Sequence, residues 1–243
     1  MSELVKSIQE NVVFFLQFMA VVAAIFIVAY VVEKLVAKKQ AVTERILTTR
    51  KIAVIGMFSA IAAILMLLEF PTPIAPSFYG MDFSELPALV GAFAYGPVAG
   101  VMIEFCKIIL KLLFKPTSTA FVGELSNFVV GCSFILPASI IYSLHKSKKT
   151  AIISCVVATL CMTVFGTAFN AVYLLPKFAQ MYGMPMDALI GMGTKINAAI
   201  TDVVTFVCFA VAPHNLIKGG SVSLITLLIY KKLSPILKKT NQA

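Results

Sequence analysis

Three polar side chains stand out in the apolar run of this chain, and two of them, a lysine near an asparagine, are suited to gripping a flat, carbonyl-rich solute. Asn170 lies in Gly166-Thr-Ala-Phe-Asn-Ala-Val-Tyr-Leu-Leu-Pro176, and Asn215 and Lys218 lie in Pro213-His-Asn-Leu-Ile-Lys-Gly-Gly220. A carboxamide offers donors and an acceptor, and an ammonium offers three donors. A spacing of three puts Asn215 and Lys218 on one helix face. Pro213 and Gly219-Gly220 loosen that helix, so backbone groups there are also open to a ligand. A structural reading stands beside this one. Asn170 then makes an interhelical hydrogen bond, and Lys218 is an interfacial lysine that snorkels, with His214 beside it.

The acidic residues read differently. Asp82 and Glu85, in Met81-Asp-Phe-Ser-Glu-Leu-Pro87, sit where an extended loop enters a helix; Asp82 reads as its N-cap and Glu85 as the partner in a capping box. Glu69 opens that loop as an interfacial carboxylate. Lys107 and Lys111 are four apart, with Glu104 three before Lys107, which reads as an ion pair on a helix face. Glu124 and Asn127 share a face through i, i+3 spacing. Gly56 and Ala60, and Ser59 and Ala63, are small residues four apart that let another helix approach closely.

Catalytic and metal motifs are missing from the sequence. It holds no G-x-x-x-x-G-K-[ST], no H-E-x-x-H and no G-x-S-x-G, and its two histidines, His145 and His214, are far apart. Cys106, Cys132, Cys155, Cys161 and Cys208 all lie in apolar stretches without a C-x-x-C pairing, and read as small buried hydrophobes. A membrane enzyme acting on lipid therefore has no constellation to rest on.

The elements that position these residues are transmembrane. The chain has 243 residues, 60% apolar and 13% charged, with a mean hydropathy of +0.96. A soluble domain carries about a quarter charged residues. Seven apolar segments emerge: Val12–Val32, Ile52–Leu68, Leu86–Tyr95, Val98–Leu113, Phe121–Leu144, Ile152–Leu175 and Ala198–Tyr230. The first spans 21 residues, follows a flank with no basic cluster and precedes Glu33-Lys34 rather than a cleavage site, so it reads as a retained helix and not a signal peptide. The last is too long for one straight span and is expected to break at 212–220. Three prolines in Glu69-Phe-Pro-Thr-Pro-Ile-Ala-Pro76 exclude regular helix and predict an ordered extended loop. No internal repeat is evident.

The net charge of +9 maps onto loops rather than onto a nucleic-acid surface. Thirteen basic residues fall on one side: Lys34, Lys38, Lys39, Arg45, Arg50, Lys51, Lys146, Lys148, Lys149, Lys231, Lys232, Lys238 and Lys239. Four fall on the other: Lys6, Lys115, Lys177 and Lys195. The excess of positive charge inside predicts a cytoplasmic C-terminus and an extracellular N-terminus. The Pro-rich loop and the 176–195 loop then meet over one external mouth.

The motifs, taken in order, resemble the substrate-binding S components of energy-coupling factor (ECF) transporters, and within them the riboflavin-specific branch. They are Phe70-Pro-Thr-Pro-Ile-Ala-Pro76, Met81-Asp-Phe-Ser-Glu-Leu-Pro-Ala-Leu-Val-Gly91, Tyr95-Gly-Pro-Val-Ala-Gly100, Thr117-Ser-Thr-Ala-Phe-Val-Gly-Glu-Leu-Ser-Asn-Phe128, Asn170 with Leu174-Leu-Pro176, and Asn215-Leu-Ile-Lys-Gly219. The resemblance covers about 51–233. It implies an all-α, polytopic membrane helix bundle with a six-helix core (51–243), to which residues 1–50 add one N-terminal transmembrane helix and a basic linker.

The resemblance further implies that Asn170, Asn215 and Lys218 hydrogen-bond the isoalloxazine. Phe70, Pro71 and Ile74 of the Pro-rich loop then cover it, and Asp82 and Asn127 join the site. The flavin is a transported ligand, not a cofactor, in a bacterial cell membrane. A transmembrane coupling subunit, docked on Gly56, Ala60 and Ala63, and two ATPases supply the energy; the chain topples in the bilayer to release the vitamin inside. FMN or another vitamin is the alternative ligand. The chain departs from the family's Pro-Phe-Asn pattern at 214, which is His.

Overall fold

The computed structural model describes residues 12–39 and 46–239, with side chains as far as 230. The flank Met1–Asn11 with Lys6, Arg45 of the basic linker, and the side chains of Lys231, Lys232, Lys238 and Lys239 lie outside the described residues.

The chain runs α1 (Val12–Lys39), α2 (Thr49–Leu67), β1 (Phe70–Pro71), β2 (Gly80–Met81), α3 (Glu85–Tyr95), α4 (Pro97–Phe114), α5 (Val122–Leu144), α6 (Lys148–Phe169), α7 (Leu175–Tyr182), α8 (Met186–Thr194), α9 (Val203–Phe206) and α10 (Ala212–Lys239). Local chemistry sets several boundaries. Thr48 accepts from the Lys51 N–H to start α2, and Ser147 accepts from the Thr150 N–H to start α6. Gly96, at φ 100°, ends α3 and Pro97 opens α4.

Five helical stretches are long and apolar enough to cross a membrane: Val12–Lys39, Thr49–Leu67, Val122–Leu144, Lys148–Tyr182 and Val203–Tyr230. The protein is thus a polytopic helical membrane bundle. Helix α3 is short and buried on nearly every side between α2, α4, α5 and α10. Helix α4 carries Glu104, Lys107 and Lys111, yet turns Glu104 and Lys107 wholly inward while Leu113 and Phe114 face out. Near α3, Phe93 stacks on Tyr142 at 4.4 Å, and Tyr142 and Tyr230 share a hydrogen bond of 3.0 Å.

The N-terminal helix α1 packs on α4 and α5. Edge-to-face pairs join Phe15 to Phe121 (5.6 Å), Phe18 to Phe128 (6.3 Å) and Phe26 to Phe105 (6.0 Å). At its far end the Glu33 carboxylate accepts the Val98 N–H at 2.8 Å, giving α4 the anionic cap that Gly96 lacks.

Two long segments differ from their expected shape. The last apolar segment does not break at 212–220. A π turn, Val207–Val211, precedes Pro213, with the Ala212 N–H bonded to the Val207 carbonyl, and helix continues through Gly219 and Gly220. Proline has no N–H and its ring crowds the carbonyl four residues back; the wider turn absorbs both effects. The sixth segment repeats the device. A π turn, Asn170–Leu174, precedes Pro176, with the Leu175 N–H bonded to the Asn170 carbonyl, and helix runs on to Tyr182. The Pro-rich loop is non-helical as expected, and closes as a two-residue antiparallel ribbon pairing Phe70 with Met81. All five cysteines are free, but Cys208 is exposed rather than buried, on the outward side of its π turn.

Candidate ligand-binding site

A cavity of about 120 Å³ lies where the ribbon loop meets α3, α5, α6 and α10. It is lined by Asp82 and Glu85, by Ser126 and Asn127 of α5, by Asn170 of the first π turn, and by His214, Asn215 and Lys218 of α10. The loop adds Glu69, Phe78, Tyr79 and Gly80. The proline-linked π turns matter here: each lies within five residues of one of the two asparagines.

Asn170 and Asn215 converge on Gly166. The Asn170 Nδ2 donates to the Gly166 carbonyl at 2.7 Å, and its Oδ1 accepts from the Tyr79 hydroxyl at 2.6 Å. The Asn215 Nδ2 lies against Gly166 so closely that a Cβ there would stand 2.5 Å from it. Among the described residues this buried Nδ2 has no hydrogen-bond partner.

Lys218 reaches Asp82 Oδ2 at 3.1 Å and Glu85 Oε1 at 3.1 Å. The same Glu85 oxygen lies 3.3 Å from the Lys107 Nζ, which also donates to the Ser84 Oγ at 2.8 Å and pairs with Glu104 Oε2 at 2.8 Å. Glu85 Oε2 is buried and without a hydrogen-bond partner among the described residues. Burial would raise the Asp82 carboxyl, but Lys218, Lys107 and hydrogen bonds from Ser84 outweigh it and hold the group below its ordinary value. Burial pushes the Tyr79 phenol well up, so it stays a donor.

This arrangement corrects the capping reading. Helix α3 starts at Glu85 after Ser84, with no side-chain cap bond. Asp82 Oδ1 instead accepts the Ser84 N–H at 2.8 Å, within the turn before the helix, and Glu85 points at two lysines rather than back along the chain. Glu104 and Lys107 do form the expected i, i+3 pair. Lys111 leaves it for Glu124, which also accepts from Thr117 and Thr119 and is not part of the cavity lining.

Asn170, Asn215, Lys218, Asp82 and Asn127 thus come together, Asn127 with its Nδ2 on the Gly123 carbonyl at 3.2 Å. Phe70, Pro71 and Ile74 are absent from the lining. Phe70 and Pro71 sit on the outer side of the ribbon and are exposed, while the loop sends Phe78 and Tyr79 inward. Phe78 meets Phe178 of α7 edge-on at 5.7 Å, so the two loop regions do join over the cavity. His214 Nδ1 lies 3.3 Å from the Thr72 Oγ1, and its ring 6.0 Å from Tyr79. Tyr79, Gly166 and the use of Glu85 were not legible in the sequence, because each depends on which helix lies opposite. On the outer face, Gly56 and Ala60 are exposed on α2 with open space beside Gly56, whereas Ala63 is 4% exposed and faces the core.

Together, a membrane-spanning helical bundle and a cavity lined by amides, carboxylates and one lysine define a membrane protein with a polar site suited to a small solute. No cluster of metal-ligating residues occurs among the described residues. Residues 50–230 match the family described as ECF transporter, substrate-specific component, and the chain belongs to that family. It is accordingly a transport subunit and not an enzyme.

The chain is 32% identical over 195 residues to the riboflavin transporter FmnP of Bacillus subtilis (strain 168), covering 80% of this chain and 97% of that protein. It is 33% identical over 190 residues to the riboflavin transporter RibU of Staphylococcus aureus (strain TCH60), covering 78% and 93%. A solved structure of the S component of a bacterial ECF transporter superposes with a TM-score of 0.62 at 34% identity, covering 77% of this chain and 97% of that one.

Proposed function

We propose that the chain binds riboflavin in this cavity as the substrate-binding subunit of an ATP-driven vitamin importer. The observation that carries the reading is a buried donor, Asn215 Nδ2, and a buried acceptor, Glu85 Oε2, both unpartnered among the described residues and both on residues that line one cavity with Lys218. Each such group costs about 1–3 kcal/mol while unmet. The pyrimidine edge of a flavin presents two carbonyl acceptors around one ring N–H donor. Asn215 and Lys218 donate to the carbonyls, and a carboxylate or amide oxygen accepts the N–H. The riboflavin transporters among the relatives support the same ligand.

The cavity of about 120 Å³ is smaller than the roughly 300–1,000 Å³ of most small-molecule sites. Phe78 and Tyr79 fill part of the space, so the loop withdraws to admit a tricyclic ring. The excess of basic residues in the loops on one side supports a cytoplasmic C-terminus and an extracellular Pro-rich loop in a bacterial cell membrane. The sequence carries no P-loop, so a transmembrane coupling subunit and two ATPases supply the energy, the former docking on the exposed Gly56–Ala60 face of α2.

The test is direct. Protein purified in detergent is titrated into riboflavin and quenching of the flavin's own fluorescence is followed. Saturable one-to-one quenching is expected; well-folded protein that gives none overturns the proposal.

A further inference from the structure

Glu104, Lys107, Glu85, Lys218 and Asp82 alternate in charge through the bundle, each within 3.3 Å of the next. They come from α4, the start of α3, α10 and the ribbon loop, and all are buried. Lys218, Glu85 and Asp82 line the cavity, whereas Lys107 and Glu104 do not. Charges this deep are costly unless matched. The link between the two halves is one atom, Glu85 Oε1, shared by both ammonium groups.

We propose that Lys107 is a positioning residue of the ligand site, acting through Glu85 on Lys218; this rests on the riboflavin reading above. Lys218 has three N–H donors. Asp82 and Glu85 take two and leave one for a ligand. That division holds only while Lys107 draws Glu85 and Ser84 from the other side. Without the Lys107 ammonium, Glu85 and Glu104 face each other as like charges. Glu85 then shifts toward Lys218 and competes with the ligand. Gly131 of α5 leaves the room that Glu104 needs, since a Cβ there would collide with its Oε2.

The charged and titratable groups that face this pair are Asp82 from the loop, Lys218 and His214 from α10, and Cys132 from α5. Their effects are common to wild type and variant, so the comparison below cancels them.

Riboflavin quenching titrations are run on wild type, Lys107→Met and Lys107→Met/Glu104→Gln at about pH 8 and about pH 6. At the higher pH, Lys107→Met is expected to bind about tenfold or more weakly. At the lower pH the loss shrinks, because a proton shared by the two facing carboxylates relieves the repulsion that the missing ammonium leaves behind. The double variant recovers part of the loss at both. A purely structural loss would be the same at both pH values and would not respond to Glu104→Gln. Binding by Lys107→Met within about threefold of wild type, or an equal loss at both pH values, overturns the inference. Should Lys107→Met fail to fold, the double variant decides: weaker binding supports the inference, and wild-type affinity overturns it. Wild type that binds no riboflavin removes the functional reading and this inference with it; wild type that binds beside unchanged variants removes the inference alone.

Discussion

The Tyr79 hydroxyl donates to Asn170 Oδ1 at 2.6 Å, so a loop residue occupies the acceptor of an amide that lines the cavity. With Asn170 Nδ2 on the Gly166 carbonyl, the amide is held at both ends by the protein itself. A ligand that uses Asn170 Oδ1 competes with Tyr79 for it.

Tyr79→Phe removes that competitor and keeps the ring. The bond contributes about 0.5–1.5 kcal/mol, so riboflavin is expected to associate faster and to bind a few-fold more tightly. Stopped-flow quenching reads both quantities. Slower association or weaker binding means that the hydroxyl serves the bound state instead.

Gly166 makes room for the Asn215 amide, and Gly166→Ala puts a methyl 2.5 Å from its Nδ2. The clash is relieved by turning the amide away, at about 1–3 kcal/mol of affinity. Asn215→Ala loses a similar amount by deleting the donor. The two losses should not add, since both act on one amide. Quenching titrations of the two single variants and the double one test this; additive losses would show that Gly166 acts elsewhere.

Asp82 is held below its ordinary pKa, where burial is outweighed by Lys218, Lys107 and Ser84. A depressed carboxyl stabilises the fold above its unfolded pKa, and that contribution is lost only as pH falls through the lower folded value. Asp82→Asn is therefore expected to cost about 3 kcal/mol at neutral pH, seen as a lower melting temperature in detergent. The gap from wild type stays constant down to about pH 4 and closes below it. A gap that closes between about pH 7 and pH 5 contradicts the assignment.

The cavity wall holds Glu69, Asp82 and Glu85 against Lys218, which two of these carboxylates already share, while Glu69 is paired with Lys115 at 2.7 Å. Among the described residues that line the cavity, a phosphate of about −1.5 to −2 charge meets no cation that is not already paired with a carboxylate. FMN is expected to bind about tenfold or more weakly than riboflavin, and the difference to narrow as pH falls through the second phosphate pKa near about 6. Competition titrations measure the ratio. Equal or tighter binding of FMN would transfer the assignment to the phosphorylated flavin.

Hydropathy and loop charge by themselves determined that this is a polytopic helical membrane protein, where its apolar segments lie, and which few polar residues stand out within them. That much is legible because a bilayer imposes one rule on every span: apolar side chains outside and backbone bonds closed within the helix. Asn170, Asn215 and Lys218 stood out because polar groups are rare in such spans and each needs a reason. Tertiary structure alone decided what those groups do. Asp82 and Glu85 read as a local cap and became partners of lysines from other helices; Phe70 and Pro71 read as the cover and turned outward while Tyr79 turned in; Pro213 read as a break and was absorbed by a π turn. Sequence spacing reports neighbours within one helix, whereas the partner of a buried charge or amide comes from whichever element packs against it, and only the packed bundle brings Lys107 and Lys218 to one oxygen of Glu85.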